Sequence, residues 1–217
     1  MQKGYIKLDG IDYLTVLSKE YLLPTAYLAP IEYYSILLQR PNSLIEKHEY
    51  FIKQTIRNRC EIYGSNGKLL LTIPKKRSSK SNNIIKDTQI SYTNNWQKKH
   101  WKSIESAYNS SPFFTFYRDE IHPVFMQKEE FLLDFNLQLQ NKILEILNIE
   151  YKTNLTISYI KENDKVDLRE YQQINNNHKE YQQVFSYKCS FKQNLSIIDL
   201  LFNLGPESKT YLNNIKI

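Results

Sequence analysis

Hydrophobic and polar positions in the first part of the chain predict a strand, a loop, a helix and a second strand. Residues 20–28 are apolar and aromatic, which indicates a short strand that runs into a loop closing at Pro30. Residues 31–39 fit a helix, and Pro30 suits its first turn because that position needs no amide donor. Residues 43–46 form the second predicted strand.

The clearest turn signal of the chain lies between two further apolar runs. Residues 57–63 and 68–73 flank Gly64, Ser65, Asn66 and Gly67, and glycine and asparagine tolerate the positive φ angles that a hairpin turn requires. The pattern therefore predicts an antiparallel hairpin. Residues 84–91 and 154–160 are expected to form additional strands.

Three later segments have helical periodicity. The first follows a predicted N-cap at Asn94, and its apolar stripe recurs at four-residue steps. The stripe consists of Trp96, His100, Ile104 and Tyr108. Residues 128–147 predict a second, longer helix. Residues 196–204 predict a short helix that ends at Gly205.

The order of these elements predicts an α/β fold. A length of 217 residues suits one domain, and 41% hydrophobic with 24% charged residues excludes disorder throughout. We expect a single domain with a mixed sheet, a β-hairpin that supplies the antiparallel part of that sheet, and packed helices. The polar residues 164–183 read as an excursion or flexible loop.

Charge narrows the range of partners. The chain carries 29 Lys and Arg against 23 Asp and Glu, a net charge of +6, which suits nucleic acid, anionic lipid or a phosphorylated metabolite. Nucleic acid is disfavoured because the basic residues do not alternate with aromatic residues in an extended stripe. No window is long and apolar enough for a membrane span, and the charged N-terminus is unlike a secretory signal, so we expect a cytoplasmic protein.

Standard catalytic and metal-binding signatures are absent from the sequence. It has no GxxxxGK[ST], GxGxxG, GxSxG or HExxH motif. Cys60 and Cys189 lie in neither a CxxC nor a Cys/His ligand pattern, so no metal is predicted. The sequence does not identify a cofactor.

The loop of residues 24–30 is the first candidate site. Open α/β sheets bind ligands in such loops, and the amides at a helix N-terminus attract anions. The Thr25 hydroxyl and the Tyr27 phenol would add hydrogen-bond donors. Alternatively, the two prolines shape a buried connection.

A dense group of polar residues is the second candidate site. It comprises Glu46, His48, Lys53, Arg57, Asn58 and Arg59. Its cations suit an anionic substrate, and His48, oriented by Glu46, would act as a general base. Alternatively, the two arginines share one strand face and pair with acidic neighbours, and His48 is simply exposed to solvent.

Two helices carry the remaining candidates. His100 belongs to an inward-facing stripe, so it is either a base or a hydrogen-bonded core histidine. Ser196 and Asp199 form an S-x-x-D capping pattern, whose simplest role is to satisfy free amides at the helix start. Asn203 has no such role and is kept as a candidate for substrate binding.

Four long motifs, taken in order, resemble the WbqC-like family, especially its members from Bacteroidota. They are LLPTAYLAPIEYYSILL, IEKHEYFIKQTIRNRCEIYGSNGKLLLTIP, NNWQKKHWKSIESAYNSSPFFTFYRDE and YQQVFSYKCSFKQNLSIIDLLFNLGPES. The resemblance covers residues 20–208, which leaves residues 1–19 as an N-terminal extension and 209–217 as a C-terminal tail. Tyr27, Leu28 and Pro30 match the family's QPxYLPxLGY-type opening, whereas its Gln-Pro pair is absent.

The resemblance implies a role in bacterial surface polysaccharide biosynthesis of the O-antigen type. Glycine or another group would be transferred to a sugar precursor. The expected partner is an anionic small-molecule donor, such as a sugar nucleotide or an activated acyl group. The alternative is a non-catalytic binding or accessory protein of the same pathway, and the oligomeric state stays open.

Overall fold

The computed structural model describes residues 20–77, 83–161, 165–171, 173 and 178–217. The strands in these ranges are β1 (Tyr21–Pro24), β2 (Leu44–Glu46), β3 (Arg59–Gly64), β4 (Gly67–Thr72), β5 (Asn154–Leu155) and β6 (Val166–Asp167). The α-helices are α1 (Ile31–Gln39), α2 (Trp96–Tyr108), α3 (Phe114–Met126), α4 (Leu132–Ile146), α5 (Ser186–Cys189), α6 (Ile197–Leu204) and α7 (Ser208–Asn213). Two 3₁₀ turns cover Ile85–Asp87 and Gly205–Glu207.

Four short strands form a parallel sheet in the order β5-β2-β1-β6. The central strand β1 is buried along its length, with Leu22 and Leu23 fully inaccessible. An uninterrupted apolar strand is typical of a parallel sheet that is covered on both faces. β1, α1 and β2 confirm the strand, loop, helix and strand predicted from the first apolar runs.

β3 and β4 form the predicted hairpin, in which Ser65 and Asn66 make the turn and Gly67 has a φ of +106°. The α/β class, the hairpin and the packed helices are therefore confirmed. The hairpin nevertheless forms a two-stranded sheet of its own and does not extend the parallel sheet. The reason is packing, since β3 contacts α2 and α6.

Several boundaries differ from the sequence prediction. α3 was not predicted, because it buries few residues and carries Pro123 inside. α4 begins at Leu132, later than expected, and the N-cap of α2 is Asn95, whose side chain makes no capping bond. The strand expected over residues 84–91 is a 3₁₀ turn flanked by isolated bridges, and β5 is only two residues long.

The C-terminal segment packs against the rest of the fold. The predicted extension, residues 1–19, lies outside the described residues. The predicted tail includes most of α7, and both Leu212 and Ile215 are buried in the core. The Ser35 hydroxyl on α1 donates to the Leu212 carbonyl at 2.7 Å, which joins α7 to α1. The segment 164–183, predicted as a polar excursion, supplies β6.

Candidate functional site

A cavity of about 610 Å³ lies where the loops after β1 and β6 meet the hairpin. The chain passes from β1 to β2 on one side of the sheet, whereas β6 lies on the other side of β1. In open α/β sheets, ligands bind beyond the carboxyl ends of strands at such a change of direction. We call this space the β1–β6 cavity. Leu28, Arg59, Leu70, Arg169, Tyr171 and Asn194 are among the residues that line it.

Hydrogen bonds hold the loop after β1 in a strained conformation beside the cavity. Leu28 has a φ of +40°, in the left-handed region that residues with a side chain rarely adopt. Its carbonyl accepts a hydrogen bond from the Ser196 hydroxyl at 2.7 Å, and the Ala29 carbonyl accepts one from the Ile197 amide at 2.9 Å. Such strain persists only where surrounding contacts fix the backbone, and it is common at ligand sites.

Arg57 is a structural cation at the inner end of the cavity. Its Nε and Nη2 bind the two carboxylate oxygens of Glu49 at 2.8 and 2.5 Å, and both side chains are buried. Nη2 also donates to the Arg169 carbonyl at 2.8 Å, and Nη1 donates to the Thr55 hydroxyl at 3.2 Å. Burial raises the pKa of Glu49, although Arg57 partly opposes that rise. Most donors of Arg57 are therefore already used.

Arg59 is in the opposite situation. It lines the β1–β6 cavity, and its side chain makes no hydrogen bond or ion pair with any residue that the structure describes. Its Nε is buried and has no hydrogen-bond partner among those described residues. Among the described residues, the two carboxylates of the wall are Glu61, which pairs with Lys68 at 2.7 Å, and Glu170, which is exposed. Within the described part of the wall, Arg59 is thus the cation that is available to an anion.

Arg169 ties the loop after β6 to the loop after β5. Its guanidinium binds Asp167 at 2.5 to 3.0 Å, which lowers the pKa of that carboxyl, and Nη1 donates to the Ile160 carbonyl at 2.6 Å. Its Nη1 lies 4.0 Å from Glu46, and its guanidinium carbon lies 5.0 Å from the centre of the Tyr159 ring. This arginine shapes the cavity but is largely paired.

The predicted pair of Glu46 and His48 is held through the backbone. The fully buried Glu46 accepts hydrogen bonds from the His48 amide at 2.8 Å, the Thr156 hydroxyl at 2.7 Å and the Ile160 amide at 3.0 Å. His48 Nε2 is buried without a partner among the described residues. His48 does not line the β1–β6 cavity, and Lys53 is exposed outside it. The structure does not bring this group of residues into one pocket.

The other predicted residues lie in the interior. The hydroxyl of Tyr27 is hydrogen-bonded to His100 Nδ1 at 3.0 Å, and burial lowers the pKa of His100 to about 4. Thr25, Asn58 and Asn203 are buried and bonded to Asn136, the Ile73 carbonyl and the Asp199 carbonyl, respectively. None of these residues lines the β1–β6 cavity.

The amides at the start of α1 are also engaged. The Ile31 amide donates to the Leu195 carbonyl at 2.9 Å, and the Glu32 amide donates to Asn194 Oδ1 at 3.0 Å. Asn194 Nδ2 in turn donates to the Tyr171 hydroxyl at 3.1 Å, which donates to Glu32 at 3.0 Å. The predicted anion site at this helix start is therefore occupied by the protein itself.

Asp199 does not cap α6, so the S-x-x-D capping prediction was wrong. Its buried carboxylate accepts hydrogen bonds from the Tyr108 hydroxyl at 2.8 Å, the Tyr181 hydroxyl at 2.5 Å and Gln183 Nε2 at 2.8 Å. Burial raises its pKa to about 6, although these three donors oppose the rise. The Ser196 hydroxyl donates its hydrogen bond to the Leu28 carbonyl and makes no capping bond.

Sequence reasoning missed Glu49, Arg169, Tyr171 and Asn194. Glu49 precedes Arg57 by eight residues. It could have been found from the rule that a buried arginine needs a carboxylate partner. The other three come from distant segments that only the folded chain joins. Among the described residues, no group of three or more His, Cys, Asp or Glu side chains could hold a metal ion, and no helix has the length and hydrophobicity to cross a membrane.

Taken together, the parallel sheet and its cavity define an α/β protein with a ligand-sized space at the carboxyl edge. The model of the WbqC-like protein family matches residues 25–174 and 167–211, so the chain belongs to that family. The match confirms the resemblance to the WbqC-like family found in the sequence. The chain is also similar to the uncharacterized protein Rv1507c of Mycobacterium tuberculosis, with 23% identity over 214 residues, 83% of this chain and 91% of that protein. No solved structure matches this chain.

Proposed function

We propose that this protein is a group transferase of bacterial cell-surface polysaccharide biosynthesis that binds an anionic donor in the β1–β6 cavity. The observation that carries the proposal is Arg59, a cavity-lining guanidinium without a side-chain partner among the described residues. The pathway rests on membership of the WbqC-like family and on the resemblance of the four motifs.

The chemistry of the wall supports an anionic ligand. Arginine binds a phosphate or carboxylate through two parallel N–H donors, and such charge-assisted bonds are stronger than neutral ones. Arg57, two residues earlier, is neutralised by Glu49 and so leaves this role to Arg59. The volume of about 610 Å³ also falls in the range of roughly 300 to 1,000 Å³ typical of small-molecule sites.

A general base for the transfer would be His48, with Glu46 fixing its backbone. In this mechanism His48 removes a proton from an acceptor hydroxyl or amine, the acceptor attacks the donor, and the donor's anionic leaving group departs. Since His48 lies outside the cavity lining, the acceptor would approach from the carboxyl end of β2. Once an activity is found, His48→Gln should lower the turnover number by a much larger factor than it lowers ligand affinity. If the variant turned over as fast as wild type from pH 6 to 8, the role of His48 as a base would be eliminated.

The binding proposal is tested by a thermal-shift screen against sugar nucleotides, acyl donors, amino acids and inorganic phosphate, since a ligand of the folded state raises its melting temperature. Arg59→Gln should abolish the shift caused by the best anionic ligand. Lys53→Gln is the matched control, because it removes an exposed charge outside the cavity. Equal affinity in wild type and Arg59→Gln would contradict the proposal.

A second candidate is a ligand-binding protein of the same pathway without catalysis. The positions of the two candidate bases favour a protein without catalysis. His100 is hydrogen-bonded to Tyr27 in the core, and His48 does not line the cavity. A profile of surface glycans after gene deletion separates the two. Loss of one sugar substituent indicates the transferase, whereas failed assembly with every substituent present indicates the binding protein.

A further inference from the structure

The hairpin places an apolar side chain beside Arg59 on the wall of the β1–β6 cavity. Arg59 pairs with Thr72 and Glu61 pairs with Leu70, and directly opposed residues of an antiparallel pair lie on the same face. Alternate residues of β3 share that face as well, so Arg59 and Leu70 are diagonal neighbours, roughly 7 Å apart by the usual spacing of such positions. Both residues line the cavity.

Leu70 breaks the expected pattern of this hairpin. Leu71 and Ile62, on the opposite face, are buried in the core, although Leu69 at the turn end of that face is 40% exposed. On the face that carries Arg59, Glu61 and Lys68, Tyr63 is buried next to the turn, whereas Leu70 is 47% exposed. A polar side chain would be the ordinary residue at such a position. A single exposed apolar residue is ordinary, but a contiguous apolar patch beside a cavity marks a surface that another molecule covers.

Other segments extend the apolar surface around the cavity. Ile52 is 43% exposed and lines the cavity, and Leu28, Pro30 and Ile56 line it as well. These side chains come from the loops after β1 and β2, so they lie on segments separate from the hairpin. The β1–β6 cavity thus combines a guanidinium that has no side-chain partner in the described part of the chain with apolar groups from three segments.

We infer that the anion bound by Arg59 is amphiphilic, a phosphate ester whose apolar chain covers Leu70 and Ile52. This inference rests on the proposed function and narrows the class of its ligand. The phosphate oxygens would accept hydrogen bonds from the Arg59 guanidinium, and the carbon chain would remove the two exposed side chains from water. A sugar nucleotide would satisfy Arg59 but would leave this apolar surface without an apolar partner.

The test is a series of monoalkyl phosphates from butyl to octyl, measured by titration calorimetry below their micelle concentrations. Affinity should rise by about two- to fourfold for each added methylene, the upper limit corresponding to about 0.8 kcal/mol for a fully buried CH₂ group. Arg59→Gln should weaken every member of the series about equally, by roughly tenfold or more, because it removes the charge-assisted contact common to all of them.

Two leucines of β4 provide the matched variants. Leu70→Gln should reduce the gain per methylene, whereas Leu69→Gln should retain it, since Leu69 is 40% exposed but does not line the cavity. An affinity independent of chain length would overturn the inference, as would equal gains in Leu70→Gln and wild type. If sugar nucleotides still bound through Arg59 in either case, the proposed function would survive. If no anion bound through Arg59, both would fail.

Vesicles distinguish the two sources of such a ligand. Phosphatidylcholine vesicles that contain phosphatidic acid present a phosphate monoester and acyl chains within a membrane, and vesicles of phosphatidylcholine alone are the control. Sedimentation with the acidic vesicles that is lost in Arg59→Gln and Leu70→Gln, but kept in Leu69→Gln, supports a lipid as the source. Binding of octyl phosphate without vesicle sedimentation supports a dissolved ester.

Discussion

Charged side chains have different surroundings on the wall of the β1–β6 cavity and in the interior beside it. In the interior, the Glu49 carboxylate accepts two hydrogen bonds from the Arg57 guanidinium, and the Asp199 carboxylate accepts hydrogen bonds from three neutral donors. On the wall, Arg59 lines the cavity, and its Nε has no partner among the residues that the structure describes. A buried charge without a partner is strongly destabilising, whereas a charge beside an open cavity keeps access to solvent or ligand. The difference separates residues that hold the fold from a residue that is free to bind.

The largest effect is expected from Arg57→Gln. This variant leaves the Glu49 carboxylate buried without its cation, a situation that typically costs about 3 to 5 kcal/mol. Urea denaturation should show that loss in the free energy of unfolding. The control is Lys68→Gln, which breaks the exposed pair with Glu61 and should cost less than about 1 kcal/mol. Equal costs for the two variants would contradict the assignment of Arg57 to the interior.

Asp199 should give a smaller, pH-dependent effect. Its pKa is about 6 in the folded protein against an ordinary value of 3.8, so the native state binds a proton that the unfolded state lacks between about pH 4 and 6. Its contribution to stability therefore decreases as pH rises through that window, by at most about 3 kcal/mol. The free energy of unfolding of wild type relative to Asp199→Asn should fall across it. A difference that rises with pH would contradict this assignment.

Tyr27→Phe should cost less again. The substitution keeps the ring among Trp96, Phe125 and Phe135 and removes only the hydroxyl bonded to His100. Leaving one buried imidazole nitrogen without its partner typically costs about 1 to 2 kcal/mol. Chemical denaturation measures the loss. If ligand affinity changed while stability did not, Tyr27 would return to the candidate binding residues.

Much of the fold was predicted from the sequence, whereas the spatial grouping of the candidate site residues depends on long-range contacts. The β1, α1 and β2 unit, the hairpin and α6 follow from local apolar runs, prolines and glycines, which act over a few residues. Segments with weak local signals were missed, such as α3 with its internal proline and the two-residue β6. The hairpin was found but was assigned to the wrong sheet, because its packing against α2 and α6 is a long-range property.

Within the candidate site, charge density in the sequence identified a segment whose two arginines line the cavity, but it could not distinguish the surroundings of each arginine. Arg57 and Arg59 share a residue type and lie two positions apart, yet one is paired with Glu49 and the other is not. Position in the folded chain decides this difference. The capping pattern at Ser196 and Asp199 failed for a related reason, since Tyr108 and Tyr181 reach Asp199 from distant segments.

The smallest change in stability is expected from Arg59→Gln. It is the same substitution as Arg57→Gln, two residues away on the same segment, and so isolates the effect of environment. Because Arg59 has no side-chain partner among the described residues, its replacement removes no ion pair and relieves a buried, unpaired Nε. The free energy of unfolding should stay within about 0.5 kcal/mol of wild type in urea denaturation, while phosphate-dependent stabilisation disappears. A loss comparable with that of Arg57→Gln would mean that Arg59 supports the fold, and the distinction between wall and interior would no longer hold.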